Sequence, residues 1–397
     1  MMKQLKKTFT IHFSIAVLLS LTLLFESGCK DQQCKDQQNG LMEDNSTHID
    51  LDNLEEFPSF FDFFSKIEII PLETNTHSLL SDMNFIKVIP NGDYFYILDK
   101  KQNLIQIFNS AGKYVETIIK KGRGPGEYSL LYDFGINNHD NTIELLCPSG
   151  ALYRYDLYTK DFIESIKLNE SIRSVHLFER LSDDYYVFFS IFNDKKLLYY
   201  SKQKNEIVKT DYTLPDYILL KSTLKFVSSP FFKFKDTIRF FEGHNGFIYT
   251  INPATLSLTP NFKWDFGKYN FKLSEIPDNE NDFYYYRLGK NISFKYASSF
   301  AHFTESENFV ISVFDFRGKM MTLAYDKNRG KSRVFHKTKE GVQIWPGYSD
   351  NQYHYVCFPP NQLRCFVNEL ILDYDQRVVL NSINPDDNYV ILKYTYK

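Results

Sequence analysis

The sequence predicts an all-β fold, a six-bladed β-propeller with four-stranded antiparallel blades, on three observations. Its 397 residues include 28 Tyr and 37 Phe but only 2 Trp, and aromatic side chains of this kind favour strands. One pattern of strand, tight turn, strand, turn and strand recurs along the chain. No helical period interrupts the strand patterns from residue 65 to the last residue.

The recurring unit is clearest from Asp93, where the chain reads DYFYILDKKQNLIQIFNSAGKYVETII. An apolar run, a polar turn, an alternating strand, a Ser-Ala-Gly-Lys turn and a third strand follow one another. Spacings of roughly 40–70 residues suit four-stranded blades with inserted loops. The units start at Asp93, Asn141, Asp183, Asp236 and Glu307.

Two further stretches complete a sixth unit. VQIWPGYSDNQYHYVCFPP from Val342 and the final NYVILKYTYK supply strands, and SKIEIIPLET at residues 65–74 supplies a strand before the first unit. We therefore expect one blade to contain strands from both ends of the chain, which would leave few exposed sheet edges. A single β-sandwich or barrel is the alternative fold, but one continuous run of strands favours a ring.

Residues 1–28 are predicted to be an export signal. Three lysines precede an apolar run from about Ile11 to Phe25, and two small residues stand directly before Cys29. A membrane-spanning anchor is the alternative. It is disfavoured because the run is at the short end of the roughly 17–25 residues that a spanning helix needs.

The same stretch resembles the lipoprotein signal of Gram-negative bacteria, in which a Cys after a small-residue box is acylated and becomes the first mature residue. Glu26 departs from that box, which prefers an aliphatic residue there. The resemblance implies lipidation of Cys29 and an outer-membrane lipoprotein facing the periplasm or the cell surface, with the membrane as a partner through its lipid chains. Cleavage before Cys29 changes the formal charge from −3 to −5, because three Lys and one Glu are lost.

Residues 29–56 are predicted to be a flexible polar tether. They begin with a tandem copy of CKDQQ and continue as an acidic stretch with little apolar surface. Such a segment gains too little from burial to offset the entropy of ordering. We therefore expect the propeller to span residues 57–397.

Three stretches carry a resemblance to a family. IEIIPLET, YILDKKQNLIQIFNSAGKYVETIIKKGRGPGEY and NYVILKYTYK resemble the six-bladed β-propeller lipoproteins of Gram-negative bacteria, relatives of the NHL-repeat propellers. The resemblance covers nearly all of the mature chain and is sharpest over residues 65–135. It implies a six-bladed ring on a lipid tether. The biochemical role of that family is largely unassigned, so the resemblance does not imply a function.

The stretch KKGRGPGEY, residues 120–128, is predicted to turn a corner between the first and second units. It lacks the third Gly and the following helix of a dinucleotide loop, and it lacks the Gly-Lys-Ser/Thr of a Walker loop. Pro125 fixes its own φ and favours an extended Gly124, and Gly126 can adopt the positive φ that a type II turn requires.

The two charges beside this turn are candidates for function. Arg123 and Glu127 could meet a ligand if the connection approaches the mouth of the central channel. The structural alternative is that Glu127 accepts backbone N–H groups and Arg123 pairs with it. Tyr128 could form a ligand platform, although packing is the more ordinary role of a tyrosine there.

Several classes of function have no support in the sequence. Lysine and arginine are spread evenly and the formal charge is −3, so no nucleic-acid footprint appears. The nine His and five Cys form no zinc or other metal pattern, no cofactor motif is present, and no catalytic set can be read from spacing. Cys357 and Cys365 bracket FPPNQLR, a predicted turn, and could form a disulfide; two buried thiols are the alternative.

These observations predict a non-enzymatic, extracytoplasmic binding or scaffold protein. Its ligand would be a small molecule, a glycan or a protein, recognised at one face of the ring. The alternative is a propeller enzyme of the lactonase or lyase kind, in which several Asp, Glu, Asn or His side chains converge around a metal in the channel. The side chains that line the channel distinguish the two.

Overall fold

A computed structural model describes residues 46–54, 57–83, 86–148, 150–168, 175–191, 193–214, 230–241, 243, 246–272, 277, 279, 281–282 and 292–397. The predicted export signal, Cys29 and most of the predicted tether lie outside these residues. The chain divides into two units, residues 1–47 and 48–397. Ser46 and Thr47, the described part of the first unit, are extended and belong to strand β1 (Ser46–His48).

The second unit is a ring of six four-stranded antiparallel blades, which confirms the predicted fold class. Each of the first three blades is a meander of consecutive strands. Blade 1 contains β3 to β6, Ile86–Asn91, Tyr94–Asp99, Leu104–Asn109 and Tyr114–Ile118. Blade 2 contains β7 to β10, Asp133–Asn137, Thr142–Cys147, Ala151–Asp156 and Phe162–Lys167. Blade 3 contains β11 to β14, Val175–Arg180, Tyr185–Ser190, Lys195–Ser201 and Glu206–Thr213.

The next two blades repeat this arrangement, and the last blade differs from it. Blade 4 contains β15 to β18, Phe231–Phe234, Thr237–Phe241, Phe247–Asn252 and Ser257–Asp265. Blade 5 contains β19 to β22, Ser298–Glu305, Phe309–Phe316, Lys319–Asp326 and Lys331–Phe335. Blade 6 combines strands from both chain ends, β23 to β25 and β2, Tyr348–Ser349, Tyr353–Phe358, Val390–Tyr396 and Phe64–Pro71.

Blade 6 closes the ring as the sequence predicts. Strand β2 pairs antiparallel with β25 from Phe64 opposite Tyr396 to Pro71 opposite Val390. The other side of β25 pairs with β24. The C-terminal strand therefore lies inside the blade and joins the first part of the ring to the last.

The first strand of each blade lies at the centre of the ring. Strands β3, β7 and β11 contact one another in order, and β15, β19, β23 and β3 do the same. In blades 1, 2, 3 and 5 the second strand is buried on both faces along most of its length, and β8 (TIELLC) is buried throughout. Side chains on the central strands that point away from the core consequently face the channel.

Aspartates at the strand ends fix the turns. Asp156 accepts the backbone N–H groups of Tyr158 and Thr159, each at 2.8 Å. Asp99 is fully buried and accepts those of Ser81 at 2.7 Å and Gln102 at 2.9 Å. A carboxylate at these positions replaces the backbone partner that the turn lacks.

A helical insertion departs from the all-strand expectation. Between β24 and β25 the chain forms 3₁₀ turns at Pro360–Cys365 and Glu369–Ile371 and a helix over Tyr374–Ser382. Asp373 caps that helix, because its side chain accepts the N–H of Gln376 at 2.9 Å. Other short helical elements occur at Phe60–Asp62, Gly267–Tyr269 and Ile292–Lys295.

The insertion also corrects the disulfide expectation. Cys357 and Cys365 are both free thiols. Cys357 lies in β24 opposite Ile391, and burial raises the pKa of its thiol to about 12. Cys365 is the exposed last residue of the 3₁₀ turn. The segment between them is therefore a helical departure from the sheet and not a hairpin that brings two strands face to face.

The boundary of the predicted tether requires a second correction. Ile49 and Leu51 are 4% and 2% exposed and belong to the same buried cluster as Trp264 and Phe316. The N–H of Ile49 donates to Asp265 O at 2.8 Å. Packed structure thus begins before Phe57, because two aliphatic residues in the acidic stretch find an apolar surface on blades 4 and 5. None of the described helices is long or apolar enough to cross a membrane.

Candidate functional site: the central channel

Charged side chains from several blades meet at the centre of the ring. The central strands of blades 1, 2, 3, 4 and 6 contribute Lys87, Asp133, Glu179, Lys233 and Tyr348. We call these five residues the channel cluster. Two of its members form a closed ion pair, and the other three do not.

Lys87 and Asp133 form the closed pair. The Lys87 Nζ lies 2.7 Å from Asp133 Oδ1 and also donates to the carbonyl of Phe134 at 2.9 Å. The second carboxylate oxygen of Asp133, which is fully buried, accepts the N–H of Phe178 at 3.2 Å. Because the Asp133 carboxylate accepts donors from blades 1 and 3, it ties three blades together.

Glu179 has no such partner. No side chain of the described residues lies within ion-pair or hydrogen-bond distance of its carboxylate. Burial raises the pKa of Glu179 to about 7, and Asp133 and Glu144 add to the rise, whereas Lys87 and Lys233 oppose it. A carboxyl group that changes charge near neutral pH inside a channel is a common property of functional sites.

Tyr348 lies within electrostatic range of Glu179 across the ring. Blade 6 and blade 3 are three blades apart, yet the Glu179 carboxylate contributes to the raised pKa of the Tyr348 hydroxyl, after burial and Asp350. Lys233 of blade 4, which is exposed to the channel and forms no ion pair with a described residue, acts on the same carboxylate. The three groups consequently face a shared space near the axis.

A second set of charges, between blades 2 and 3, is satisfied internally. The Arg154 guanidinium lies 2.6 Å from Asp140 and 3.2 Å from Glu144. Arg180 pairs with the same two carboxylates at 2.6 and 3.3 Å, and Tyr186 donates to Glu144 at 2.9 Å. Because each guanidinium pairs with both carboxylates, this cluster joins blades 2 and 3. Its charges neutralise one another and are not available to a ligand.

The Gly-rich loop forms the turn that the sequence predicts. The N–H of Glu127 donates to Gly124 O at 3.0 Å, and Gly126 between them has φ +74°. Pro125 and Gly126 thus occupy the two central positions, as a type II turn requires. A Cβ on Gly126 would lie 2.5 Å from Phe162 Cγ, so the turn also lies close against β10, the outermost strand of blade 2.

The three residues predicted as ligand candidates have different environments. Glu127 accepts the N–H of Gly124 at 2.8 Å, which agrees with the structural alternative. Arg123 is exposed and forms no ion pair with any described residue. Tyr128 is 2% exposed in the core shared by blades 1 and 2, and its hydroxyl accepts the N–H of Lys120 at 3.3 Å. None of them belongs to the channel cluster.

The channel cluster has little signal in the sequence. Glu179 stands in VHLFER, where it and Arg180 follow mostly apolar residues, and Lys233 is the one charge in FFKF; both are ordinary amphipathic strands. Once the ring is predicted, the first strand of each unit is expected at its centre, so a charged residue in several of these strands indicates a charged channel. Within the described part of the chain, no three His, Cys, Asp or Glu side chains are grouped so that they could hold a metal ion.

The fold and the cluster define a six-bladed β-propeller with a charged central channel. The family model described as "Domain of unknown function (DUF4934)" matches residues 47–395. The chain therefore belongs to this family. Among curated proteins, a search found no match.

Two crystal structures share the fold. One is a protein of Bacteroides fragilis NCTC 9343 that is described as exported, with a TM-score of 0.64 and 16% identity over 89% of this chain and 99% of that one. The other is a member of the duf4221 family from Bacteroides vulgatus ATCC 8482, with a TM-score of 0.50 and 10% identity over 84% and 97% of the two chains. At such identities the likeness concerns the fold.

Proposed function

We propose that this chain is an extracytoplasmic, lipid-anchored propeller that binds a small ligand in its central channel without chemical turnover. One observation carries the proposal: Glu179 and Lys233, from neighbouring blades, face the same space and lack ion-pair partners among the described residues. Burial makes the ionised form of the Glu179 carboxylate costly without a partner, whereas the Lys233 ammonium is exposed to solvent and free to meet a ligand. A ligand that pairs with them offsets that cost.

The signs of these charges define the ligand class. The Glu179 carboxylate suits an amino group, and the Lys233 ammonium suits a carboxylate. The Tyr348 hydroxyl offers an additional donor or acceptor. A ligand with an amino group and a carboxylate, such as a free α-amino acid or a short peptide, complements all three. Lys87 and Asp133 already pair with each other, so they would form part of the channel wall and would not supply a charge to the ligand.

The raised pKa of Glu179 makes this binding depend on pH. Its carboxyl group is protonated below about pH 7 and ionised above it. Only the ionised form attracts an amino group, so affinity should rise from pH 6 to pH 8. Free α-amino acids are the probes for this pH series, because the α-amino group of a peptide titrates at about 7.7–8.0 and would itself lose charge over the range.

The test is a binding screen on the whole mature protein by thermal shift and calorimetry at pH 8, with α-amino acids and dipeptides as probes. We expect Glu179→Gln and Lys233→Met each to weaken the best probe by about tenfold to a hundredfold, the usual size for a lost hydrogen bond to a charged group. Glu179→Gln should also abolish the pH dependence. The exposed Glu206 and Lys66 provide matched controls, Glu206→Gln and Lys66→Met.

Two results would reject the channel site. One is the absence of binding by every probe; the other is an affinity that Glu179→Gln and Lys233→Met leave unchanged. No observation on the described residues favours the lactonase or lyase alternative, which needs a convergent set of metal ligands.

The membrane address rests on the N-terminal sequence and is supported by the described export of a protein with the same fold. The mature chain should begin at an acylated Cys29 and sediment with membranes. Cys29→Ala should give a protein without acyl chains that is released from them, which mass spectrometry of the N-terminus and membrane fractionation would detect. An acylated, membrane-bound Cys29→Ala protein would contradict this address.

A further inference from the structure

A groove on the outside of blade 5 is separate from the channel. It has a volume of about 780 Å³, within the usual range of ligand sites of roughly 300–1,000 Å³. Its floor is apolar: Phe316, Met321 and Val334 of blade 5 are 3%, 6% and 8% exposed. Leu51, from the segment that precedes the ring strands, closes one side.

Two large apolar side chains of this groove remain in contact with water. Leu54 is 43% exposed and Phe57 is 59% exposed, and both line the same cavity as the buried floor. Single exposed apolar residues are ordinary, but here they extend a concave apolar surface. The groove can therefore bury an apolar chain along its length.

The rim of the groove is basic. Arg317, Lys319, His336 and Lys339 line it, and no carboxylate is among its described lining residues. Lys319 and Lys339 are exposed, and neither forms an ion pair within the described part of the chain. Arg317 is less available, since it lies 3.7 Å from Asp52 and donates to the Tyr269 hydroxyl at 3.1 Å.

This local charge opposes that of the whole molecule. The chain carries a formal charge of −3, yet the groove concentrates three permanent cations around an apolar floor. A surface that serves only to keep the protein soluble carries interspersed charges of both signs and no large apolar patch. Lysine ammonium groups at the edge of an apolar surface attract an anionic head while their methylene stems extend the surface.

We infer that the blade 5 groove binds a long-chain fatty-acid anion, with the acyl chain on the floor between Leu54, Phe57 and Met321 and the carboxylate beside Lys319 and Lys339. Each methylene removed from water favours binding. The charge pair at the head gives the ligand its orientation. This site goes beyond the proposed channel function and does not depend on it.

The experiment uses the whole mature protein and calorimetry with laurate below its micelle concentration; dodecyl maltoside is the uncharged probe with the same chain. We expect saturable one-to-one binding of laurate and none of dodecyl maltoside. Lys319→Ala with Lys339→Ala should weaken laurate about tenfold or more, as expected for lost charged contacts. Lys101→Ala with Lys113→Ala, two exposed lysines of blade 1, removes the same charge and should leave the affinity unchanged.

A second pair of variants tests the exposed apolar side chains that extend the floor, without risk to the core. Leu54→Ser and Phe57→Ser alter side chains that are already exposed, so melting temperatures should stay close to that of the native protein, whereas laurate binding should be lost. Equal binding of laurate and dodecyl maltoside would show that the carboxylate adds nothing to the affinity and would overturn the role proposed for Lys319 and Lys339. Unchanged laurate binding by the serine variants would overturn the site.

Two other occupants would give different results. Binding to phosphatidylglycerol vesicles without binding to laurate would assign the groove to a membrane surface and overturn the fatty-acid proposal. Glu55 and Glu56 stand between Leu54 and Phe57 in the sequence and lie outside the described residues. If only Glu55→Gln with Glu56→Gln bound laurate, the chain's own carboxylates would be the occupants, and the proposal would fail.

Discussion

Removal of residues 46–56 should destabilise the ring substantially, although they belong to an acidic stretch that resembles a linker. A protein that begins at Phe57 loses Ile49 and Leu51, which are buried against Trp264 and Phe316. Truncation of one such aliphatic side chain costs about 2–5 kcal/mol. Because the deletion exposes a surface and leaves no closed cavity, we expect a total loss of about 3–5 kcal/mol in the free energy of unfolding.

Chemical denaturation provides the measurement, and a protein that begins at Ser46 provides the control. The control retains the buried residues and should unfold at the same denaturant concentration as a protein that begins at Lys30. Leu51→Ala in the longer protein should reproduce much of the loss. If the protein that begins at Phe57 were as stable as the control, residues 49–51 would contribute nothing to the fold and the segment would be a tether after all.

Gly126→Val should be the second severe change. Gly126 has φ +74°, and a Cβ there would lie 2.5 Å from the Phe162 ring. Left-handed strain costs of the order of 1–3 kcal/mol, and overpacking costs about 1–3 kcal/mol more. We therefore expect a loss of about 2–6 kcal/mol in thermal or denaturant unfolding.

The structure offers a matched control for each part of this cost. Gly92 has φ +58° with no atom within 4 Å of a Cβ, so Gly92→Val measures the strain alone. Phe162→Ala combined with Gly126→Val removes the ring atoms that a Cβ would meet at 2.5 and 2.7 Å and leaves only the Phe162 Cβ at 2.9 Å. The double change should therefore recover part of the stability relative to the sum of the two single changes. A stable Gly126→Val protein, together with loss of the screened ligand in Arg123→Ala or Glu127→Ala, would instead identify the loop as the binding site.

The fold could be predicted because its determinants are local and repeated. Alternating strands and turn residues recur in each unit, and Pro125 with Gly126 specifies one turn through backbone sterics. The closure of blade 6 followed from counting strands at both ends of the chain. The sequence does not predict the helix over Tyr374–Ser382, because its cap and first turn, DYDQ, lie in a polar stretch with a weak apolar period.

The channel cluster could not be predicted because it depends on distances across the ring. Glu179 and Tyr348 are far apart in sequence, and neither stands in a motif. The unusual composition of the Gly-rich loop resembles that of a ligand site, but in the structure Pro125 and Gly126 supply the backbone angles of a type II turn. Likewise, Ile49 and Leu51 are too few to mark a packed segment until the apolar surface that receives them is known.

The position of the last strand has a consequence for how the chain folds. Strand β25 lies between β2 and β24, so neither neighbour has this partner until the final residues, Val390–Tyr396, arrive. Contacts between residues so distant in sequence slow folding, and until then two apolar strands present unpaired edges that invite aggregation. A chain that emerges N-terminus first must keep β2 unpaired while five blades form. Loss of the last eight residues would leave an open ring in which β2 and β24 each present an unpaired edge that can pair with another chain.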